Sequence, residues 1–293
     1  MTEQLPSTEL VDDATRELDL LPTLDLVRLL VQRQERALAA VREAVPQLSR
    51  AVDRIAESVS AGGALHYVGA GTSGRIGVLD AAEAPPTFGT PPALVRAHIA
   101  GGDAALVRAV EGAEDDVDAG RALAFARGDA VVGISASGGA RYVIAAVEKA
   151  RASGAYTVAL TSVCGSRLAT SAELPVVLDT GPEPLAGSTR MLAGTAQKIA
   201  LNALSTATMV RLGKTYGNLM VDVVANNQKL ERRAVRLVCE IGGVDEERAR
   251  QLLAAASTSA KVAIVMARRG IGEDAARAAL SKAGGRLRGV LEG

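Results

Sequence analysis

The sequence predicts an α/β protein built around a five-stranded parallel sheet. Three observations carry that expectation. From Leu65 onward, short apolar runs alternate with helix-like segments, the order that builds a sheet covered on both faces. Two of those runs end in turns dense in glycine and hydroxyl groups, Gly69–Gly74 and Ser135–Gly139. The flanking sequence on either side is helical in pattern.

Leu26, Leu29, Leu30, Ala37 and Val41 form an apolar stripe within residues 24–60, and Pro46 is expected to divide that stretch into two helices. The first 20 residues lack a period and read as an arm. Strands are expected at Leu65–Val68, Leu94–Ile99, Ala130–Ile134, Thr157–Leu160 and Pro175–Leu178. Helices are expected at Ser73–Ala82, Ala104–Val110, Tyr142–Arg151 and Thr189–Arg211, the first stopped by Pro85 and Pro86. Asp103 is read as a helix cap. After Gly217 no strand is expected. Residues 221–239 read as a polar helix, followed by short helices at Asp245–Ala255, Ser259–Arg268, Glu273–Ser281 and Gly285–Leu291. The expected domains are an arm with helices (1–53), a sheet domain (54–218) and a helical region (219–293).

Composition narrows the function. Aromatic residues make up 2 % of the chain and there is no Trp, so a base-stacking surface is not expected. The 33 basic and 33 acidic residues balance, which argues against a nucleic-acid partner. Cys164, Cys239, His66 and His98 have no metal-ligand spacing; ordinary packing is expected of all four, with no metal and no cofactor. No window holds 18 uninterrupted apolar residues, so no membrane span is expected. The polar, acidic opening is unlike a secretory leader, and the expectation is a cytoplasmic protein.

The turn Gly69-Ala70-Gly71-Thr72-Ser73-Gly74 follows a strand and opens a helix. Glycines let backbone approach a ligand, and helix-start amides favour an anion. The spacing satisfies the dinucleotide fingerprint, yet no acidic residue ends the next strand where a ribose would need one. Arg75-Ile76 also replaces the Lys-Ser/Thr pair of a P-loop. The second turn, Ser135-Ala136-Ser137-Gly138-Gly139, repeats the pattern, so the two can surround one phosphate with hydroxyl and amide donors. The competing reading makes Ser137 a cap and Ser135 a packing residue. A third stretch, Gly187-Ser188-Thr189-Arg190, opens the long helix; Thr189 reads as its cap, and Ser188 as a possible sugar contact.

Two carboxylates stand out. Glu83 closes the first motif helix, where the dipole disfavours a negative charge. Glu114 sits in an acidic run with Glu111, Asp115 and Asp116, where a solvated helix start competes with a catalytic role. Placed on opposite sides of a sugar, the pair could act as base and acid.

Long motifs then make a resemblance specific. G-A-G-T-S-G-R-I-G-V-L-D-A-A-E-A-P-P-T-F-G, I-A-G-G-D-A-A-L-V-R-A-V-E-G-A-E-D-D, G-S-T-R-M-L-A-G-T-A-Q-K-I-A-L-N-A-L-S-T and R-L-G-K-T-Y-G-N-L-M-V-D-V-V-A-N-N-Q-K-L follow in order. The chain resembles the N-acetylmuramic acid 6-phosphate etherases over about residues 60–235, and it is similar to the glucokinase regulatory proteins. The resemblance implies a sugar isomerase (SIS) αβα sandwich, a phosphorylated amino-sugar substrate and a cytoplasmic homodimer. It implies cleavage of the lactyl ether of N-acetylmuramic acid 6-phosphate to N-acetylglucosamine 6-phosphate and D-lactate. By the same resemblance Glu83 and Glu114 are the catalytic carboxylates, while Thr72, Ser73, Ser135, Ser137 and Gly138 match loops that hold the phosphosugar; Gly71 and Ser188 complete the expected substrate-binding set.

The chain departs from the family pattern in three places. Ala84 stands where the family has Cys, and Gln4-Leu5-Pro6 where Arg-Asn-Pro is common. Ser-Ala-Ser-Gly-Gly-Ala-Arg at 135–141 replaces Ala-Ala-Ser-Gly-Arg-Thr-Pro, which bears on the contacts of Ser135 and Arg141. A non-catalytic phosphosugar sensor, a ketose–aldose isomerase and a nicotinamide dehydrogenase are the competing functions.

Overall fold

The computed structural model describes residues 5–222 and 228–293. The chain divides into two compact units, one of Met1–Ala82 with Ala93–Ser205, the other of Glu83–Pro92 with Thr206–Gly293.

In the first unit the arm forms three 3-10 turns, Ser7–Glu9, Asp13–Thr15 and Leu18–Leu20. Helices α1 (Thr23–Arg33), α2 (Glu35–Glu43) and α3 (Val45–Ser60) follow, one more than expected. Pro46 lies in the first turn of α3, where a missing N–H costs no helical bond. The extra break is at Gln34, whose amide donates to Val31 O in a tightened turn. It separates α1, which buries no residue, from α2, which buries Ala37, Ala40 and Val41. Leu48, Ala51, Val52, Ile55 and Ala56 give α3 one buried face.

Strands β1 (Leu65–Gly69), β2 (Val95–Ile99), β3 (Ala130–Ile134), β4 (Tyr156–Thr161) and β5 (Leu174–Val177) form one parallel sheet in the order β2-β1-β3-β4-β5. β1 and β3 are buried at every position, which is why they read as unbroken apolar runs. Intervening helices are α4 (Gly71–Phe88), α5 (Ala104–Val107), α6 (Val117–Arg121), α7 (Arg141–Ala152) and α8 (Arg167–Ser171); α9 (Leu192–Arg211) follows β5. α7 and α8 cover one face: a Cβ on Gly133 would lie 2.5 Å from Val147 and 3.1 Å from Leu168. The residues alternating with Gly133 meet α4, where a Cβ on Gly77 would sit 3.1 Å from Tyr67 Cβ and 3.4 Å from Ile134 Cδ1. The sheet is therefore the middle of three layers.

Several expectations need correction. α4 does not stop before the prolines; Pro85 and Pro86 lie inside it, and Gly89 N–H bonds Pro85 O at 2.9 Å. Burial of Ala84 and Phe88, four residues apart on one face, outweighs the hydrogen bonds those prolines forgo. Asp103 precedes α5 but makes no side-chain cap bond. Cys164 is exposed rather than packed. His66 and His98 do pack: Nδ1 of His66 is 3.0 Å from Nε2 of His98, with Phe125 edge-on to both rings. Burial holds the His66 imidazole down to about 4, against the pull of Asp129.

The second unit carries a two-stranded antiparallel hairpin, β6 (Thr215–Tyr216) with β7 (Leu219–Met220), where no strand was expected. Its signal was the Gly217-Asn218 turn; two-residue strands are too short to show alternation. Of the helix expected at 221–239, residues 223–227 lie outside the described residues, and α10 runs Gln228–Gly242. α11 (Glu246–Ala255), α12 (Ala260–Arg269), α13 (Glu273–Lys282) and α14 (Leu287–Leu291) complete the bundle. Asp245 and Ser259 cap α11 and α12 by accepting from Arg248 N–H and Val262 N–H. The buried Lys261 ammonium ties the unit together, donating to Gly213 O at 3.0 Å, Gly285 O at 2.9 Å and Asp222 Oδ2 at 2.7 Å.

Candidate functional site

Strand β1 lies between β2 and β3, so the connections leaving β1 and β3 diverge and open a crevice at their carboxyl ends. Gly69, the last residue of β1, is the register partner of Ile134, the last of β3. The two hydroxyl turns therefore spring from adjacent strand ends.

Close approach dictates the glycines of the first turn. A Cβ on Gly69 would lie 2.6 Å from Gly74 N, and one on Gly74 would lie 2.6 Å from Ile99 Cγ1. Gly71 adopts φ +53°, and nothing stands within 4 Å of where its Cβ would be. The first amide bond into α4 is Gly74 N–H to Ala70 O, which leaves the amides of residues 71–73 as an open helix start. Thr72 is half-buried and Ser73 is buried. Ser73 Oγ donates to Gln197 Oε1 on α9 at 2.9 Å. Gly194, one turn earlier on α9, admits Thr72: its Cβ would meet Thr72 Cγ2 at 3.3 Å.

Two further residues, Asp80 and Arg75, fix α4 within the first unit. Buried Asp80 accepts from Tyr67 Oη at 2.9 Å, Asn202 Nδ2 at 2.6 Å and Ser205 Oγ at 3.1 Å, and burial pushes its carboxyl up against those bonds. Arg75 donates to Leu106 O at 3.2 Å and Arg108 O at 3.3 Å, holding the segment that leads to Glu114.

In the second turn Ser135 and Gly138 are buried and Ser137 is half-buried. Gly138 N–H closes on Ser135 O at 3.1 Å; its φ is +66°, and a Cβ would fall 2.1 Å from Ser166 Oγ, so only glycine fits. Ser137 Oγ accepts from Gly139 N–H at 3.2 Å. Ser137 thus stabilises the turn, while the residue at the cap position of α7, Ala140, has no side-chain bond to offer. Ser162, just past β4, donates its amide to Ala136 O at 2.9 Å, and its buried hydroxyl has no partner among the described residues.

The third stretch differs from its expected role. α9 opens at Leu192, not Thr189. Its first amides belong to Glu183, whose fully buried carboxylate accepts from Leu192 N–H at 2.7 Å and Ala193 N–H at 2.9 Å. Burial pushes this carboxyl above its ordinary range, opposed by those two amides and by Arg36. Thr189 is not the cap; its amide bonds Gly187 O at 3.0 Å and its carbonyl accepts from Gly194 N–H at 2.9 Å. Half-buried Ser188 donates its amide to Leu185 O at 2.9 Å. Gly194 therefore borders both Thr72 and Thr189.

Both carboxylates are exposed. Glu83 lies on α4 within the second unit. Glu114 lies in a 3-10 turn, Ala113–Asp115, in the first unit; Asp116 caps α6 through Ala119 N–H at 2.9 Å. Ala113, beside Glu114, and Ala70, in the first hydroxyl turn, both pack against the apolar cluster that includes Val68, Ala100 and Val143.

Sequence reasoning overlooked Gln197, Glu183, Asp80 and Ser162. The one available signal was a polar residue at a core position: Gln197 is 1 % exposed on α9, among buried Ala193, Ala200, Leu201 and Leu204. Its buried Nε2 has no partner among the described residues, which costs about 1–3 kcal/mol.

A three-layer sandwich with hydroxyl- and glycine-lined turns at its switch point is the architecture of a SIS domain. The SIS domain model matches residues 105–207, and the model of the glucokinase regulatory protein N-terminal SIS domain matches residues 47–151. Among curated proteins, the N-acetylmuramic acid 6-phosphate etherase of Symbiobacterium thermophilum is 52 % identical over 252 residues, 85 % of this chain and 84 % of that protein. That of Gloeobacter violaceus is 48 % identical over 301 residues, 100 % and 98 % of the two chains. That of Deinococcus radiodurans is 49 % identical over 288 residues, 97 % and 94 %. The chain belongs to the N-acetylmuramic acid 6-phosphate etherase family.

Proposed function

We propose that the chain cleaves the D-lactyl ether of N-acetylmuramic acid 6-phosphate, yielding N-acetylglucosamine 6-phosphate and D-lactate. The observation that carries this reading is the 48 % identity with an etherase over the whole chain, which takes in both carboxylate motifs. The hydroxyl turns support it: donors at an open helix start suit a phosphate monoester.

An unactivated ether resists hydrolysis because alkoxide leaves poorly. Opening the sugar ring exposes an aldehyde at C1, which acidifies the hydrogen on C2. Glu114 takes that proton. The resulting enolate expels the lactyl oxygen from C3, and Glu83 gives the departing oxygen its proton. Water then adds at C3 of the unsaturated aldehyde, deprotonated by the Glu83 carboxylate; the enolate this forms takes a proton at C2 from Glu114, which resets the base, and the ring closes. Each positioned proton transfer contributes roughly 10²–10⁴ in rate. Gly71, Thr72, Ser73, Ser135, Ser137 and Gly138 hold the phosphosugar, and Ser188 contacts the sugar; their contribution is orientation. The enzyme acts as a cytoplasmic homodimer.

The test is lactate release from N-acetylmuramic acid 6-phosphate in deuterated water. Wild type should release lactate and place deuterium at C2, and Glu114→Gln should lose both. A phosphosugar bound without lactate release makes the chain a sensor, and C2 exchange undiminished in Glu114→Gln removes Glu114 as the base.

A further inference from the structure

Serine carries a single hydroxyl proton, and in this structure Ser73 gives it to Gln197 Oε1 at 2.9 Å. Only lone pairs of Ser73 Oγ then remain for a ligand. A phosphate monoester dianion offers acceptors and no donor, so the pair as it stands cannot bond it through that hydroxyl. Gln197 meanwhile keeps its Nε2 buried with no partner among the described residues. Both mismatches have one remedy. Turning the Gln197 amide over about its last torsion exchanges its oxygen and nitrogen within nearly the same volume. Nε2–H then donates to Ser73 Oγ, and the serine proton is free to point outward. The atom left unpaired becomes a carbonyl oxygen, a cheaper orphan than an N–H donor.

We propose that Gln197 is a positioning residue that sets the polarity of Ser73, its amide presenting Nε2–H to Ser73 Oγ when a phosphate monoester is bound so that Nε2–H···Oγ–H···O–P runs in one direction. The proposal rests on the reading that the first hydroxyl turn holds the substrate's phosphate. Its geometry is local to the first unit. Gly194 and Gln197 lie one turn apart on α9, Gly194 against Thr72 and Gln197 against Ser73. The α9 face therefore backs both hydroxyls of the turn.

A double-mutant cycle with Ser73→Ala and Gln197→Met tests it, read as kcat/KM on N-acetylmuramic acid 6-phosphate and as inhibition by inorganic phosphate. Ser73→Ala should lose roughly tenfold in both, about one charge-assisted hydrogen bond, and Gln197→Met a smaller loss of roughly threefold, each through KM with kcat little changed. The double variant should lose no more than Ser73→Ala alone. Additive losses, or a Gln197→Met enzyme matching wild type while Ser73→Ala is impaired, overturn the Gln197 role and leave the phosphate reading standing. Ser73→Ala without effect overturns both. In wild type, independent of any variant's folding, the Gln197 side-chain amide protons should shift downfield on saturation with inorganic phosphate; unmoved signals contradict the proposal.

Discussion

Gly71-Thr72-Ser73 and Gly187-Ser188-Thr189 read alike, each a glycine and two hydroxyls ahead of a long helix, yet their helix starts have opposite fates. α4 begins at Gly71 with its leading amides open. α9 begins at Leu192 with its leading amides already bonded by the buried Glu183 carboxylate. The dipole of α9 is thus complemented by an anion of the protein itself, and a second anion there would meet like charge. A hydroxyl-rich helix start is an anion site only where the fold has not supplied the anion.

The largest effect that would break this comparison comes from emptying the filled start. Glu183→Ala leaves two buried N–H groups without acceptors and should lower the unfolding free energy by about 2–6 kcal/mol, counting 1–3 for each. Urea titration reading a loss under about 0.5 kcal/mol would mean Glu183 is incidental. Glu183→Gln sharpens the point through pH. Because burial holds the wild-type carboxyl above 4.5 in the folded chain, its linked stability is complete below that value and is lost as pH rises through the folded pKa. Wild type should therefore lose ground to Glu183→Gln as pH rises above 4.5, and a gap widening the other way would contradict the assignment. The smallest effect belongs to Thr189→Ala. A true cap would cost about 0.5–2 kcal/mol, whereas Thr189, bonded among the described residues through its backbone, should change thermal stability by less than about 0.5 kcal/mol.

The sheet was legible because parallel strands buried on both faces must be continuous apolar runs; the strand expected at Ala130–Ile134 is the one found. The helices of the second unit were legible through caps such as Asp245 and Ser259. What escaped depended on tertiary context. Pro85 and Pro86 signal a stop by local rules, and burial of Ala84 and Phe88 overrides it. The hydroxyl turns themselves could be read, since glycine and serine stand side by side in the chain. Their second halves could not: Ser73 and Gln197 lie 124 residues apart, and no periodicity links them. Glu183 was hidden for the same reason, a carboxylate in a loop reaching a helix start nine residues on.

The most direct measurement is a crystal structure of the Glu114→Gln enzyme with N-acetylmuramic acid 6-phosphate bound. The phosphate should rest on the amides of residues 71–73 and on Ser73 Oγ, with Glu183 still bonded to Leu192 and Ala193. A phosphate seated at Ser188–Arg190, or away from both helix starts, would contradict the account.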